Sequence, residues 1–420
     1  MGEGITPRHG ARTRFTAVLS CILAARPARP QMHCRTVRRR RAARWGAERL
    51  ARIVVSGYYG FGNAGDEIIL RVLLRALDGH DVVVLSADPA ATRRDHCVAA
   101  AGRTRPATVL RLLAACDLLV SGGGGLLQDA TGPGSVPYYL GVIAAARSLR
   151  KPFMIYAQGI GPLRAAWARA GLRLLRGAAA VTVRDTESAE YLQRAGVRQV
   201  EVTADAVLSL PRPSPLGGVP PELRAAGVLP GETVLAIAPR PHSDTQLAVE
   251  LAVAAEALAE RLPARVVLVP MQYSEDTAAC AAVAAAMRRP PVVLSRRIEA
   301  PRYAEVFAGF HLVLGMRLHA LILAALARIP AIGLSYDPKI QAFLRGLGRG
   351  DCELGLDARA AEIVSRVEAV FPQTPAAASD LDAVVRRLQV AARRNDERLR
   401  ELLPAPRGGA PQGRQDARRI

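Results

Sequence analysis

From Arg52 onward, short apolar and β-branched runs alternate with segments of helical periodicity, and they do so in two separate series. Strands are expected at Arg52–Ser56, Val82–Leu85, Leu118–Val120, Phe153–Ala157, Ala180–Val183 and Val200–Val202. A second set follows at Val234–Ala238, Arg265–Val269, Val292–Leu294, His311–Leu314 and Ala331–Leu334. Strands this short and this uniformly apolar belong to parallel sheets buried on both faces by helices. The expected class is therefore α/β, with two Rossmann-like domains facing a cleft at their strand C-termini. Residues 51–210 form the first domain and 232–372 the second, joined by the Pro- and Gly-rich linker 211–231. A charged amphipathic helix is expected within 373–403, and 404–420 has the composition of a disordered tail.

Charge needs dissection before it implies a partner. The formal net charge is +20, but residues 1–50 hold twelve Arg against Glu3 and Glu48. That segment reads as an unstructured basic leader; Phe15–Ala25 behind Arg8, Arg12 and Arg14 is a weak signal-peptide alternative. Only Lys151 and Lys339 are lysines, so the bias toward Arg follows composition, and aromatic residues are not interleaved for base stacking. No nucleic-acid partner is expected. The six cysteines lack metal-ligand or CxxC spacing and read as reduced buried thiols. No run of about 18 apolar residues is present, so a cytoplasmic protein without a membrane span is expected.

Chemistry concentrates at the strand ends. Ser56–Asp66 (SGYYGFGNAGD) carries Gly60, Gly62 and Gly65 between a strand and a helix expected at Asp66–Leu77, with Asp88 after the next strand. This spacing reads as a dinucleotide fingerprint. It reads also as a tight turn whose helix is capped by its own acids, since Asp66 and Glu67 would occupy the anion position. Tyr58, Tyr59 and Phe61 suit this loop to a sugar face. Ser121–Asp129 (SGGGGLLQD) follows another strand; four glycines in a row, including Gly123 and Gly124, let backbone amides line a ligand surface. Ala157–Pro162 (AQGIGP) ends a third strand in the same manner.

The second half is basic where the first is glycine-rich. Arg240 stands in Ala238–His242 (APRPH), Arg317 and His319 in Gly315–Ala320 (GMRLHA), and Asp337 and Lys339 in Ser335–Ile340 (SYDPKI). Arg184 would face the same cleft from the first half. Cations converging with a histidine suit a small, multiply charged anion, because Arg grips carboxylate or phosphate with two parallel bonds.

Taken in order, SGYYGFGNAGDE, SGGGGLLQD, AQGIGP, VTADAV, APRPH, GMRLHA and SYDPKI resemble the polysaccharide pyruvyltransferase family, most closely its CsaB branch, from about Arg52 to Val370. The resemblance implies a fold similar to GT-B glycosyltransferases, phosphoenolpyruvate as donor and a lipid-linked cell-wall glycan precursor as acceptor. It implies donor binding and catalysis at Arg317 and His319, with Arg184 joining the donor site. On this reading His319 is the general acid/base, and Arg317, Arg184, Arg240 and Lys339 hold the carboxylate and phosphate. Asp66 would act on acceptor hydroxyls, with Tyr58, Asn63, Gly123 and Gly124 binding the acceptor. No metal and no cofactor beyond phosphoenolpyruvate as co-substrate is expected. A lipid-linked acceptor would bring the protein against the inner membrane face. A GT-B glycosyltransferase using a nucleotide sugar is the alternative.

Overall fold

The computed structural model describes residues 50–129, 134–214, 218–243, 246–335, 337–371 and 375–404. The expected leader, apart from Leu50, and the expected tail, apart from Pro404, lie outside them. The first sheet contains β1 (Arg52–Ser56), β2 (Asp81–Ser86), β3 (Ala99–Gly102), β4 (Leu118–Ser121), β5 (Gly124–Leu127), β6 (Phe153–Ile160), β7 (Ala180–Val183) and β8 (Glu201–Val202). Its order is β3-β2-β1-β4-β6-β7-β8, with β5 also pairing β6, and the pairings are parallel. The second contains β9 (Thr233–Ala238), β10 (Ala264–Leu268), β11 (Val292–Val293), β12 (Leu312–Gly315), β13 (Ala331–Leu334) and β14 (Glu353–Leu354). It too is parallel, in the order β11-β10-β9-β12-β13-β14.

Three strands carry no readable signal in the sequence. β3 is Ala-Ala-Ala-Gly, without a β-branched residue, and becomes a strand only by closing the sheet edge on β2. β5 forms inside the glycine run and pairs with β6, which runs on through Ile160, so the first four residues of AQGIGP lie within a strand and the chain leaves it only at Gly161. β14 has only two residues.

The two sheets share one apolar core. Helix Leu318–Ala327 is buried continuously from Ala320 to Ala327, as a helix apolar on every side must be. Each fully buried Leu or Ile there contributes about 2 kcal/mol of burial free energy. It packs in the same cluster as Ile69 and Leu73 of helix Ala64–Ala76 and Val385 and Leu399 of the C-terminal helix. That last helix, Pro375–Glu401, crosses back onto the first sheet. Its buried Asn395 donates to Ala204 O at 3.0 Å and accepts from Thr203 Oγ1 at 2.7 Å, while Asp396 accepts from Tyr156 Oη at 2.6 Å. From the second half, Arg328 donates to Asp382 of the same helix at 2.8 Å, so it straps both halves together.

The Pro-rich connection is itself packed where it is described. Leu223 is fully buried, and Glu222 pairs with Arg302 at 2.8 Å. Among the described cysteines, Cys116, Cys280 and Cys352 are buried free thiols, but Cys97, just past the helix Pro89–His96, is exposed, contrary to expectation.

Candidate functional site

In both sheets the strand order reverses beside the first strand, between β1 and β4 and between β9 and β12. Loops leaving the C-terminal ends of such strands splay apart and open a crevice. Between the halves lies a cavity of about 140 Å³, whose lining includes Asn63, Asp66, Arg184, Arg240, Arg317, His319 and Lys339. It is smaller than the roughly 300–1,000 Å³ of a drug-sized pocket, which suits a compact ligand.

The second half presents cations that are held from behind. Arg317 donates through Nε to Asp276 Oδ2 at 3.1 Å and through Nη2 to Glu275 Oε2 at 3.2 Å. Asp276 is fully buried and also accepts from the amides of Met271 and Gln272, at 3.1 and 2.8 Å. Neither acid was singled out from sequence; the signal available was an acid pair opening the helix Tyr273–Ala286. Arg317 is the N-terminal flank of helix Leu318–Ala327, and no side chain caps that end. The first amides of a helix have no intrahelical partner, so this end favours an anion. Lys339 opens helix Pro338–Gly346, whose cap is Asp337 Oδ1 on Lys339 N at 3.0 Å. Burial, with Arg184 nearby, pushes its ammonium down to about 8.

The first half presents acids and one arginine. Arg184 donates from Nη1 to Asp205 Oδ2 at 3.1 Å, and its Nε lies 3.6 Å from Asp185. Asp66 is buried, and its carboxyl is pushed up to about 8 by burial, then by Glu67 and Asp205, against the pull of Arg184 and Arg317. At neutral pH it therefore holds its proton. His319 goes the other way: burial holds its imidazole below the ordinary range, opposed by Asp205. Its ring lies against Gly65, where any Cβ would fall inside the imidazole.

The glycine loops behave differently from their sequence appearance. Asn63 caps helix Ala64–Ala76, accepting from Gly65 N at 3.1 Å and Asp66 N at 3.4 Å, which moves the helix start two residues ahead of the expected Asp66. Its Nδ2 donates to Gln272 Oε1 at 3.3 Å, and Ala64 N donates to Met271 O at 2.8 Å, so this helix start is clasped to the second half. Gly60 N is taken by Glu67 Oε1 at 2.8 Å, and Glu67 Oε2 is paired with buried His96 at 2.9 Å. Asp88, placed for a ribose, instead caps its own helix through Ala90 N and Ala91 N. The amides a dinucleotide phosphate would use are occupied, which removes the fingerprint reading.

Three residues expected to bind the acceptor are not brought to this cavity. Tyr58 stacks on Phe61 with centroids 4.1 Å apart. Gly123 is buried against Ile69. Gly124, with φ of +91°, leaves room that the Asp66 carboxyl fills. Gly125 is the member of the run that reaches the cavity, opposite Lys339 Nζ. Among the described residues no group of three or more His, Cys, Asp or Glu is arranged to hold a metal ion, and no helix is long and apolar enough to cross a membrane.

A family model described as "Polysaccharide pyruvyl transferase" matches residues 63–338. No curated protein matches the sequence. Among solved structures, the chain is similar to UDP-GlcNAc 2-epimerase from Neisseria meningitidis bound to UDP-GlcNAc, with TM-score 0.57 and 11% identity over 83% of this chain and 100% of that one. A glycosyltransferase from Rickettsia africae gives TM-score 0.55 and 11% identity, over 84% and 99%. UDP-N-acetylglucosamine 2-epimerase from Rickettsia bellii gives 0.56 and 10%, over 84% and 97%. At such identities the likeness establishes the fold, two parallel α/β halves of the GT-B kind.

Proposed function

The chain belongs to the polysaccharide pyruvyl transferase family, and we propose that it transfers the pyruvyl group of phosphoenolpyruvate, as a ketal, to a sugar of a lipid-linked cell-wall polysaccharide precursor. The observation that carries the reading is the meeting of Arg184, Arg240, Arg317, Lys339 and His319, drawn from both halves, on one small cavity beside an uncapped helix start. Phosphoenolpyruvate has a carboxylate and a phosphate for these groups to hold, and charge developing on the departing phosphate is offset by the same cations.

Ketal formation moves two hydroxyl protons. A proton must first reach the methylene carbon of phosphoenolpyruvate, giving a methyl group and a cationic centre at the adjacent carbon. One sugar hydroxyl adds there and loses its proton. The carbon–oxygen bond to phosphate then breaks, a second hydroxyl adds and loses its proton, and the ring closes. Of the two protons released, one restores the enzyme acid and one leaves with phosphate. On this reading Asp66, whose carboxyl burial pushes up to about 8, is that acid, and His319, whose imidazole burial holds below the ordinary range, is the base. The sequence reading gave both the acid and the base function to His319 and set Asp66 on the acceptor hydroxyls; here His319 keeps the base function and the acid function passes to Asp66. No cofactor or metal is invoked.

The CsaB-like branch, a cytoplasmic site of action and peripheral contact with the inner membrane face belong to the same proposal. The surface that fits such contact is Pro162–Gly177, where Arg164, Arg169, Arg173 and Arg176 stand exposed around Trp167 and no acidic residue interrupts them. Flotation with anionic but not zwitterionic vesicles is expected, and equal recovery with both kinds removes the contact. For the reaction, incubation with phosphoenolpyruvate and a lipid-linked acceptor is expected to add a pyruvyl mass to the acceptor and release phosphate. Consumption of a nucleotide sugar alone would replace this reading with that of a glycosyltransferase.

A further inference from the structure

The proposed reaction leaves the buried carboxylate of Asp205 without a role. Asp205 follows β8 in the stretch Val202–Val207 and is 4% exposed. Its Oδ1 accepts from Val207 N at 3.1 Å, capping the turn Ala206–Ser209, and this fixes the direction of the carboxylate. The neighbouring Thr203 and Ala204 are pinned by Asn395 of the C-terminal helix. Asp205 thus sits on backbone that the strap holds rigid.

Its second oxygen meets groups from both halves. Oδ2 accepts from Arg184 Nη1 at 3.1 Å and stands 3.7 Å from His319 Nε2. That ring nitrogen is buried and has no hydrogen-bond partner among the described residues. A buried imidazole nitrogen left unpaired is unfavourable, and a movement of roughly 0.5–1 Å would bring it within bonding range of Asp205. We propose that Asp205 is a positioning residue for the pyruvyl transfer read above: it anchors Arg184 for the donor and selects the His319 tautomer that carries its proton on Nε2, leaving Nδ1 to meet substrate. The hydrogen bond made by one imidazole nitrogen sets the protonation of the other, and a carboxylate there stabilises the imidazolium that forms when the ring takes a proton. One oxygen shared between Arg184 and His319 also couples the donor clamp to the base. Occupation of Arg184 by an anion weakens its hold on Asp205 and strengthens that of His319.

The charged and titratable groups facing His319 are Asp205, Arg184 and Arg317, with Asp66 beside Gly65 and Lys339 on the same cavity wall. Nitrogen-15 NMR of histidine-labelled full-length protein, without substrate, tests the assignment. Wild-type His319 is expected as the Nε2–H tautomer at neutral pH. Asp205→Asn is expected to move its titration midpoint about 1 pH unit lower, as loss of an opposite charge requires. In turnover the same variant is expected to lower kcat roughly 100-fold, with the limb of the pH profile due to His319 displaced downward and KM for phosphoenolpyruvate raised. An Nδ1–H tautomer in the wild type, or an unchanged midpoint in folded Asp205→Asn, overturns the proposal. Should that variant not fold, the wild-type tautomer decides. The inference rests on the pyruvyl transfer reading only for turnover: if wild type forms no ketal yet the NMR results hold, that reading fails and the role of Asp205 toward His319 stands.

Discussion

Two helices begin on opposite walls of the cavity, Ala64–Ala76 from the first half and Leu318–Ala327 from the second, and they end their backbones in contrary ways. The first looks in sequence like an anion site, with its glycines and its strand–turn–helix setting. In the structure its first amides are filled by Asn63 and by the carbonyl of Met271, the loop amide of Gly60 before it is taken by Glu67, and it carries Asp66, whose carboxyl burial pushes up to about 8. The second has no glycine fingerprint, only GMRLHA, yet its start has no side-chain cap and is flanked by Arg317 and His319. A helix start binds an anion when its N–H groups are unspent, and glycine spacing alone does not say whether they are. On the proposed reading the donor goes to the second helix, and the first, clasped to the second half through Asn63 and Ala64, supplies the acid.

The largest expected effect tests the second helix. His319→Ala is expected to lower turnover by roughly 1,000-fold or more while circular dichroism and the unfolding midpoint stay close to wild type. Unaltered turnover would remove His319 from the mechanism. Next comes the contact between the two helix starts. Gly65→Ala places a methyl group inside the His319 ring, so the helices must part. Turnover is expected to fall on the order of 100-fold with helical content retained, the cost of displacing a reacting group by about 1 Å. A fully active variant would show that the two helix starts do not meet during catalysis.

The smallest effect concerns the acid on the first helix and is one of stability. The Asp66 carboxyl titrates near 8 in the folded chain against an ordinary value of 3.8. Between those values the native state binds more protons than the unfolded state, so stability falls as pH rises through that window. Asp66→Asn removes the group. The variant is expected to gain about 2 kcal/mol over wild type at pH 7.5 and little at pH 4, measured by denaturant unfolding at both. An equal difference at both pH values would mean that the carboxyl is ionised in the folded protein, and the acid role would fall with it.

Much of this molecule is legible in the chain. Runs such as Leu118–Ser121 and Leu312–Gly315 are apolar and buried throughout, so their place in parallel sheets follows from local composition. Arg184, Arg240, Arg317, His319 and Lys339 could be placed near one cleft because each follows a strand at its C-terminal end. Asp276 and Asp205 could not. Each is an ordinary acid in sequence, and its meaning comes from a partner 41 residues away for Asp276 with Arg317, or in the other half for Asp205 with His319. The same holds for β3, whose alanines pair only because β2 is there, and for Gly124, whose missing side chain makes room for Asp66.

The sequence by itself determined the alternation of strands and helices, the two series, and the chemistry waiting at their ends, because periodicity and turn residues act over a few positions. The tertiary structure alone decided which helix start is spent and which is open, which carboxyl keeps its proton, and that the C-terminal helix returns to strap the first sheet. Those outcomes depend on burial and on distances across the shared core, where a buried charge is set by whatever group the packing brings within reach.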